Sequence, residues 1–544
     1  MKRFSIISVL LLLIAGQTEA QPRLVDDLSG EGWKLWHDTQ AQWQQEEIFN
    51  QPVDISELPV VSPTGGWTVL GSAQMVGVKV PGTLEEYLQK ESGPEGDLSG
   101  VSWWVRPLDI PKYTGVKKVI LKFGSIRSRA EVFIDRKLAG YWIVDNVPFE
   151  VDITKFVQPG RTAELAVRIT DAGGNYDWRD GALIPWGDKT LPPGHAFGGI
   201  TGRVILEVCD PVYTSDIYMQ NTPALTTVNA VLTINNTTGK AVTRSVTVDV
   251  YPAGKTSPAV FSAKLTQTFA PGENEIIVPV SVPDAGLWDV DNPNLYSCAV
   301  LIQEGSRAAD LAQQRFGFRW FEAEGIGQDA IFRLNGKRIV LRSSISWSFW
   351  PVNGIFPTDE LARRQIEIAK ELGLNMLNFH RFMGSPNVLD YADELGLLYF
   401  EEPGGYRTQA NNPFLRENLR QKVMMMVKRD RSHPSLVIFN MMNESGAARP
   451  DKLAVELSDM RQAHALDPSR YLLRTSAWAA ADYVDDQAKI HLRPYDTTMY
   501  WNGWYDYHHA GGPASWHQEL YRGPGDYYNN TTNKKEIVFY GEEG

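Results

Sequence analysis

Cysteine is scarce in this chain: its 544 residues include two, Cys209 and Cys298. Two cysteines cannot form the disulfide framework of a small secreted domain, and their separation lacks metal-ligand spacing. The sequence therefore predicts two buried free thiols, which can pair only if the fold brings them together. The chain also lacks a G-x-S-x-G elbow, an H-E-x-x-H zinc helix and a Walker phosphate loop, so we expect no metal and no cofactor.

An excess of positive charge is also missing. The chain has 53 basic and 65 acidic residues, which gives a formal net charge of −12. A surface that binds nucleic acid needs a basic patch, and no run rich in lysine or arginine occurs. We therefore expect no nucleic-acid partner.

Long hydrophobic runs are absent outside the N-terminus. There, Lys2 and Arg3 precede the apolar stretch Phe4–Gly16, and Thr18-Glu19-Ala20 has the small-x-small pattern of a cleavage site. This run is too short to span a bilayer comfortably. We interpret residues 1–20 as a signal peptide and expect a periplasmic or secreted protein with no membrane contact beyond export; the alternative is an uncleaved anchor.

Tryptophan is abundant, with 17 residues, and aromatic residues make up 11% of the chain. Indole rings fill the cores of β-sandwiches, and they also offer flat apolar faces to sugar rings. The abundance of tryptophan is therefore compatible both with β-sandwich cores and with carbohydrate binding.

The sequence pattern in the first half of the chain predicts two β domains. Runs such as Lys118–Phe123 and Ala163–Ile169 alternate apolar and polar positions, which predicts a β-sandwich or jelly roll over residues 21–210. Residues 211–325 are rich in Thr and Val, and their short strands fit an immunoglobulin-like β-sandwich in size and pattern. The Cys…Trp…Cys signature of antibody domains is missing.

From about residue 326 the pattern changes to strands that alternate with amphipathic helices such as Thr358–Leu372 and Pro413–Asp430. This alternation indicates parallel βαβ units and predicts a (β/α)8 TIM barrel over residues 326–544, with an open seven-stranded sheet as the alternative. The sequence stops just after the seventh run, so we expect the barrel to be incomplete here. The predicted strands are Arg338–Leu341, Met376–Phe379, Leu397–Phe400, Leu436–Met441, Tyr471–Thr475, Thr497–Tyr500 and Ile537–Tyr540.

Polar and aromatic residues follow these strands, where a barrel places its active site. Strand 3 ends in Glu401-Glu402, strand 4 in Asn443-Glu444, and strand 7 in Glu542-Glu543. Two carboxyl groups on opposite sides of a barrel mouth can cleave a glycosidic bond, one as acid and one as nucleophile or base. The alternatives are a non-catalytic carbohydrate-binding protein and an inactive barrel fragment.

Several segments resemble glycoside hydrolase family 2, which includes β-galactosidases, β-glucuronidases and β-mannosidases. "AEVFIDRKLAGYWIVDNVPFEVDITKFVQPG" and "FGGITGRVILEV" resemble its jelly-roll domain, "LWDVDNPNLY" the end of its immunoglobulin-like domain, and "FRLNGKRIVLRSS" its entry to the barrel. "RDRSHPSLVIFNMMNESG" is similar to the family's acid/base segment, and "FYGEEG" to its nucleophile segment.

The resemblance implies a retaining, exo-acting β-glycoside hydrolase. Glu444 is then the general acid/base, Asn443 contacts the substrate 2-hydroxyl, and Glu542, rather than Glu543, is the nucleophile. Further candidate substrate-binding residues come from the strand ends: His380, Arg381, Trp478, Tyr500 and Trp501.

The chain departs from the family pattern at strand 2. Where relatives commonly carry an Arg and then Ser-His-Tyr-Pro, this chain has Asn378-Phe379-His380-Arg381. The sequence predicts a carbohydrate substrate and favours a neutral hexose and a β-galactosidase-like activity. A β-glucuronidase-like activity is the alternative, since His380 and Arg381 are candidate partners for a uronic acid. Self-association into a homo-oligomer is left open.

Overall fold

The structure of the chain is a computed structural model. It describes residues 22–544 except 73, 89–97, 175–182, 193, 195–196, 348–349, 351–353, 405–411, 477–478, 481–482, 485, 502–503, 510–536 and 544. The predicted signal peptide therefore lies outside the described residues.

Two packed sheets form the first unit. One has the strand order β1-β14-β6-β9 and the other β3-β2-β5-β10-β7-β8, and the pairs β11-β12 and β4-β13 lie beside them. The strands are β1 Leu24–Asp27, β2 Gly30–Asp38, β3 Val76–Val80, β4 Gly82–Thr83, β5 Gly100–Asp109, β6 Lys118–Phe123, β7 Arg129–Ile134, β8 Lys137–Trp142, β9 Phe149–Asp152, β10 Thr162–Asp171, β11 Ile184–Trp186, β12 Lys189–Leu191, β13 Gly199–Ile200 and β14 Val204–Cys209. The short helices are α1 Leu84–Leu88 and the 3-10 turns Ile55–Glu57 and Trp67–Gly71.

Alternation in the sequence explains the core of this first sandwich. In β6, Val119, Leu121 and Phe123 are fully buried and face one cluster with residues of the six-stranded sheet. Tryptophan contributes to this burial, since Trp33 and Trp104 are at most 1% exposed. The core interpretation of tryptophan is thus confirmed for these two rings.

The second unit is a smaller pair of sheets, with orders β15-β16-β19 and β18-β17-β20-β21. In β16 every second residue is buried, which is the pattern of a strand with one face on a core. Cys209 and Cys298 are both buried and free, as predicted. The strands are β15 Val212–Asn221, β16 Thr227–Asn236, β17 Val242–Pro252, β18 Phe261–Phe269, β19 Gly272–Ser281, β20 Tyr296–Glu304 and β21 Arg307–Phe316.

A three-stranded antiparallel sheet joins this unit to the barrel. It consists of β22 Phe321–Glu324, β23 Ile331–Leu334 and β24 Lys337–Ile339. β22 pairs with β23 across residue 325, where the sequence predicted a domain boundary. Phe321 and Leu334 share one buried cluster with Met376 and Ile438 of the barrel strands. This sheet therefore packs under the barrel.

The last unit contains parallel strands that alternate with helices, as predicted. β25, β26, β27, β28 and β29 pair side by side in parallel, and β34 lies alongside β25. The elements are β25 Ser343–Ser346, α2 Asp359–Glu371, β26 Met376–Phe379, α3 Pro386–Leu395, β27 Leu398–Glu401, α4 Pro413–Asp430, β28 Leu436–Asn440, α5 Pro450–Leu466, β29 Tyr471–Leu473, β30 Ala479–Ala480, β31 Tyr483–Val484, a 3-10 turn Asp486–Lys489, β32 His491–Leu492, β33 Trp504–His509 and β34 Ile537–Glu543.

Two predicted barrel strands were wrong. The first barrel strand is Ser343–Ser346, because its backbone pairs with β26, whereas Lys337–Ile339 joins the antiparallel sheet below. The segment predicted as strand 6, Thr497–Tyr500, forms no strand: Tyr500 makes one antiparallel bridge to His491. The strand that pairs in parallel with β34 is instead β33.

Local signals at the helix ends agree with the structure. Thr358 caps α2 by accepting from the backbone N–H of Leu361, and Asn412 caps α4 by accepting from that of Phe414. Gly396 ends α3 with a φ of 77°, and a Cβ atom there would lie 2.5 Å from the carbonyl oxygen of Val290. A side chain at this position would force α3 away from the second sandwich.

No helix within the described part of the chain is long and apolar enough to cross a bilayer.

Helix α4 packs on the first sandwich through a buried ion pair. The Lys422 Nζ lies 3.3 Å from the Asp145 Oδ1, and the two side chains are 3% and 11% exposed. Burial alone raises the pKa of Asp145, but the charges of Lys422 and Arg127 hold it below its ordinary value. The pair thus joins the sandwich to the barrel where water is excluded.

We expect Lys422→Met to lower the free energy of unfolding by about 3 kcal/mol, because it leaves the Asp145 carboxylate buried with one cation, Arg127. Urea unfolding measures this change. Lys428→Met, an exposed position on the same helix, is the matched control and should change stability by less than about 0.5 kcal/mol. Equal effects of the two substitutions would contradict the importance of the pair.

Candidate active site

Glu444 follows β28 in an unusual backbone conformation. Its φ is 42°, in the left-handed region that non-glycine residues rarely adopt. Two contacts to the loop after β29 hold it there: the Glu444 N–H donates to the carbonyl oxygen of Ser476 at 2.8 Å, and Asn443 forms a parallel bridge with Ser476. The Glu444 side chain is 19% exposed. The Glu444 side chain therefore lies at the C-terminal edge of the parallel strands, where solvent can reach it.

Arg381 reaches this carboxyl group from the loop after β26. Its Nε donates to the Asn443 Oδ1 at 3.1 Å, and its Nη2 lies 3.6 Å from the Glu444 Oε2. The guanidinium also lies over the ring of Trp347, 5.1 Å from its centre. The Arg381 side chain is 8% exposed and its φ is 56°. Two residues with a positive φ thus face each other across the site.

Glu402, directly after β27, connects the strand ends. Its carboxylate is fully buried and accepts from the Arg381 backbone N–H at 2.5 Å, from the Ser476 hydroxyl at 2.9 Å and from the Asn440 amide at 3.0 Å. The His380 Nδ1 lies 3.4 Å from the same carboxylate. Because a buried carboxylate needs donors in place of water, these contacts keep the ends of four strands together.

The neighbouring Glu401 supports the loop that carries Arg381. Burial and the nearby Asp430 raise the pKa of Glu401 well above its usual range. Its Oε1 accepts from the Gly384 N–H at 3.1 Å, while Arg429 donates to the Gly384 carbonyl at 2.7 Å. The backbone N–H and carbonyl of Gly384 are therefore both held by hydrogen bonds, to Glu401 and Arg429 respectively.

The structure brings some of the predicted site residues together. Glu444, Asn443 and Arg381 are in mutual contact, and His380 lies behind them, fully buried and edge-on to Trp347 with ring centres 4.4 Å apart. Asn443 also donates to the Ser476 hydroxyl at 2.9 Å.

Tyr500 and Trp501 are not part of this group. Tyr500 donates to Asp496 at 2.5 Å, stacks on His491 and lies under the guanidinium of Arg493. Burial lowers the pKa of His491 to about 4, so its ring is neutral at pH 7. Trp501 is 44% exposed. The Tyr500 side chain is therefore held by residues of its own segment, and Trp478 lies outside the described residues.

The backbone of Glu542 lies in β34, opposite His508 of β33. β34 runs beside β25, so β25, β26 and β27 separate it from β28 and Glu444. In a sheet that curves into a barrel, strands so far apart in order face each other across the mouth. The backbone of Glu543 lies next to that of Glu542, at the end of the same strand.

Sequence reasoning missed Trp347 and gave no role to Glu402 or Ser476. Trp347 directly follows β25, a strand that the sequence pattern placed elsewhere. The position of Glu402 and Ser476 after predicted strands was a usable signal, but their hydrogen bonds depend on the tertiary fold.

A group of metal-type ligands lies elsewhere, at the contact of the second sandwich with α3. Asp390, Asp393 and His433 approach within 4.8 Å, but Arg315 lies 2.6 Å from Asp390, and the His433 ring is 2.6 Å from Asp393. Burial lowers the pKa of His433, yet the Asp393 carboxylate raises it above the ordinary value overall. Arg315 and His433 already pair with these carboxylates, so this group is a salt-bridge network.

Two family models match the chain: "Glycosyl hydrolases family 2" over residues 211–319, and "Glycosyl hydrolases family 2, TIM barrel domain" over residues 327–518. Together they cover more than half of the chain. The chain belongs to glycosyl hydrolase family 2.

Relatives within this family carry two kinds of name. A protein of Formosa agariphila with a provisional beta-glucuronidase name is 26% identical over 452 residues, which are 80% of this chain and 51% of that protein. A beta-galactosidase of Thermoanaerobacter pseudethanolicus is 27% identical over 395 residues, 69% of this chain and 48% of the relative. The chain thus spans about half the length of these relatives.

Solved structures of the family share the fold. The crystal structure of a family-2 beta-galacturonidase from Eisenbergiella tayi bound to galacturonate matches with a TM-score of 0.70 and 21% identity. The match covers 96% of this chain and 82% of that one. At this identity the likeness supports the architecture alone.

We expect Glu402→Gln to lower the free energy of unfolding by about 2 kcal/mol, since the amide replaces one oxygen that accepts from buried donors. Guanidinium unfolding provides the measurement. Glu360→Gln, at an exposed position in the first turn of α2, is the control and should lie within about 0.5 kcal/mol of the wild type. A Glu402 variant as stable as this control would show that the contacts of Glu402 do not hold the site.

Proposed function

We propose that this protein is a retaining, exo-acting β-glycoside hydrolase with a β-galactosidase-like specificity. The observation that carries the proposal is the placement of Glu444 at the carboxyl end of β28, across the barrel from the strand that contains Glu542, in a chain of glycosyl hydrolase family 2. Glu444 is proposed as the acid/base and Glu542 as the nucleophile.

The proposed reaction has two steps. Glu444 protonates the glycosidic oxygen while the Glu542 carboxylate attacks the anomeric carbon, which breaks the bond to the leaving group and forms a glycosyl-enzyme. Glu444, now ionised, then removes a proton from water, and that water displaces Glu542. Asn443 is suited to hold the sugar 2-hydroxyl because it adjoins Glu444 and is held by Ser476 and Arg381.

The site supports a neutral sugar over a uronic acid. Among the site residues that the structure describes, Arg381 already contacts Asn443 and Glu444, and His380 is fully buried. Neither group is therefore presented to a substrate carboxylate. A β-glucuronidase-like or β-galacturonidase-like activity is the second candidate, because relatives and a similar structure carry those names. A non-catalytic carbohydrate-binding protein would have no use for an acid held in this way.

The finer features of the chain also belong to the proposal. We infer a jelly-roll domain over residues 21–210 and an immunoglobulin-like domain up to the sheet that begins at Phe321. We further propose export after cleavage behind Ala20, a carbohydrate as the partner and no nucleic-acid partner. N-terminal sequencing of the exported protein should start at Gln21; a chain that keeps residues 1–20 would contradict cleavage.

The activity test uses the protein from its complete open reading frame and nitrophenyl β-galactoside, β-glucoside, β-glucuronide and β-galacturonide. We expect the β-galactoside to be hydrolysed best and with retention of configuration. Glu444→Gln should abolish hydrolysis of substrates with poor leaving groups but leave the first step for activated aryl glycosides, which need little acid help. Glu542→Gln should abolish both.

Glu543→Gln is the matched control for the nucleophile and should retain activity. If it, and not Glu542→Gln, abolishes turnover, the nucleophile is Glu543. Preference for a uronide would replace the galactosidase assignment by the second candidate. Absence of hydrolysis of all four glycosides would overturn the proposed function.

A further inference from the structure

Arg381 lies in the loop after β26, and its contacts are those of a group that acts on Glu444. Its guanidinium bridges Asn443, through Nε, and Glu444, at 3.6 Å through Nη2. It therefore touches two of the three residues to which the proposed reaction assigns a role, Asn443 and Glu444.

We propose that Arg381 is a positioning residue that orients the Glu444 carboxyl group and favours its ionised form. This inference rests on the proposed function, because it concerns the acid/base of that reaction. It assigns Arg381 to the protein's own carboxylate instead of to the sugar.

The guanidinium is held in place before any substrate binds. The Arg381 backbone N–H donates to Glu402, and the guanidinium lies over the Trp347 ring. Gly384, three residues further on, is fixed by Glu401 and Arg429. An arginine can fork between two acceptors while it stacks on a ring, whereas a lysine ammonium is a single point charge.

Charge explains the effect on Glu444. A cation within about 4–6 Å of a carboxyl group favours the ionised form by about 1–3 pKa units. Within the part of the chain that the structure describes, the nearby charges include the Glu402 carboxylate with His380 on one side. On the other side lies the Arg474–Glu456 pair, where Arg474 donates to the Ser445 and Gly446 carbonyls. Glu402 and Glu456 each have their own partners, whereas the Arg381 guanidinium lies directly against the Glu444 carboxylate.

Among the residues whose backbone the structure describes, β33 and β34 carry further titratable residues, including His508, His509, Glu542 and Glu543. In the free enzyme the negative charge of the nucleophile would keep the proton on Glu444 for the first step. Once Glu542 is esterified by the sugar that charge is gone, and Arg381 then favours the ionised Glu444 that the second step needs as a base.

The test is the pH dependence of kcat/KM for the preferred glycoside with a poor leaving group, whose alkaline limb reports loss of the Glu444 proton. Arg381→Gln should move this limb upward by about one pH unit or more, because the neighbouring cation is removed. Arg381→Lys should keep the limb near the wild-type position while kcat falls. Arg364→Gln, on the exposed face of α2, is the control and should change neither.

An Arg381→Gln enzyme that loses activity with an unmoved alkaline limb would overturn the inference, and so would an Arg381→Lys limb that moves as far as that of Arg381→Gln. If Arg381→Gln does not fold, Trp347→Leu releases the guanidinium from its support and should also raise the limb; an unmoved limb there contradicts the inference. Failure of the proposed function is separate, since it appears as no hydrolysis by the wild type, or as a Glu444→Ala variant whose activity on activated substrates is not rescued by azide.

Discussion

The buried carboxylate of Glu402 is the constraint on which the candidate site depends. A carboxylate without water destabilises the fold unless donors replace its solvation. Those donors are the backbone of Arg381, the amide of Asn440 and the hydroxyl of Ser476. Since each comes from a different strand end, satisfying one carboxylate sets the relative positions of three loops. The contacts of Arg381 and Asn443 with Glu444 are consequences of that arrangement.

The two sandwiches stabilise the barrel from outside. The first packs on α4 through Lys422 and Asp145, and its Phe197 ring contacts Ile355 and Phe382, which follow the first two barrel strands. The second packs on α3 through Arg315 and its acidic partners. The loops that carry the site are thus backed by β-structure rather than by solvent alone, which limits how far they can move.

Elements with a strong local pattern could be predicted. Helix α2 and strand β26 lie within the predicted bounds because an apolar face or an apolar run is enough to define them. Strand β25 could not be found in this way: its sequence, Ser-Ser-Ile-Ser, has no apolar pattern, and it is a strand because β26 pairs with it. The more apolar Arg338–Leu341 looked like a better strand, but Lys337–Ile339 pairs with β23 instead.

The sequence by itself determined the order of the domains, the position of Glu444 after its strand, and the family. Each of these depends on residues that are neighbours in the chain. The tertiary structure alone decided that Arg381 contacts Glu444, that Glu402 bonds three strand ends, and that Tyr500 lies beside Arg493. The first two of these contacts join residues that are far apart in sequence. Such contacts depend on how the strands pair and on which donors lie close to each buried charge.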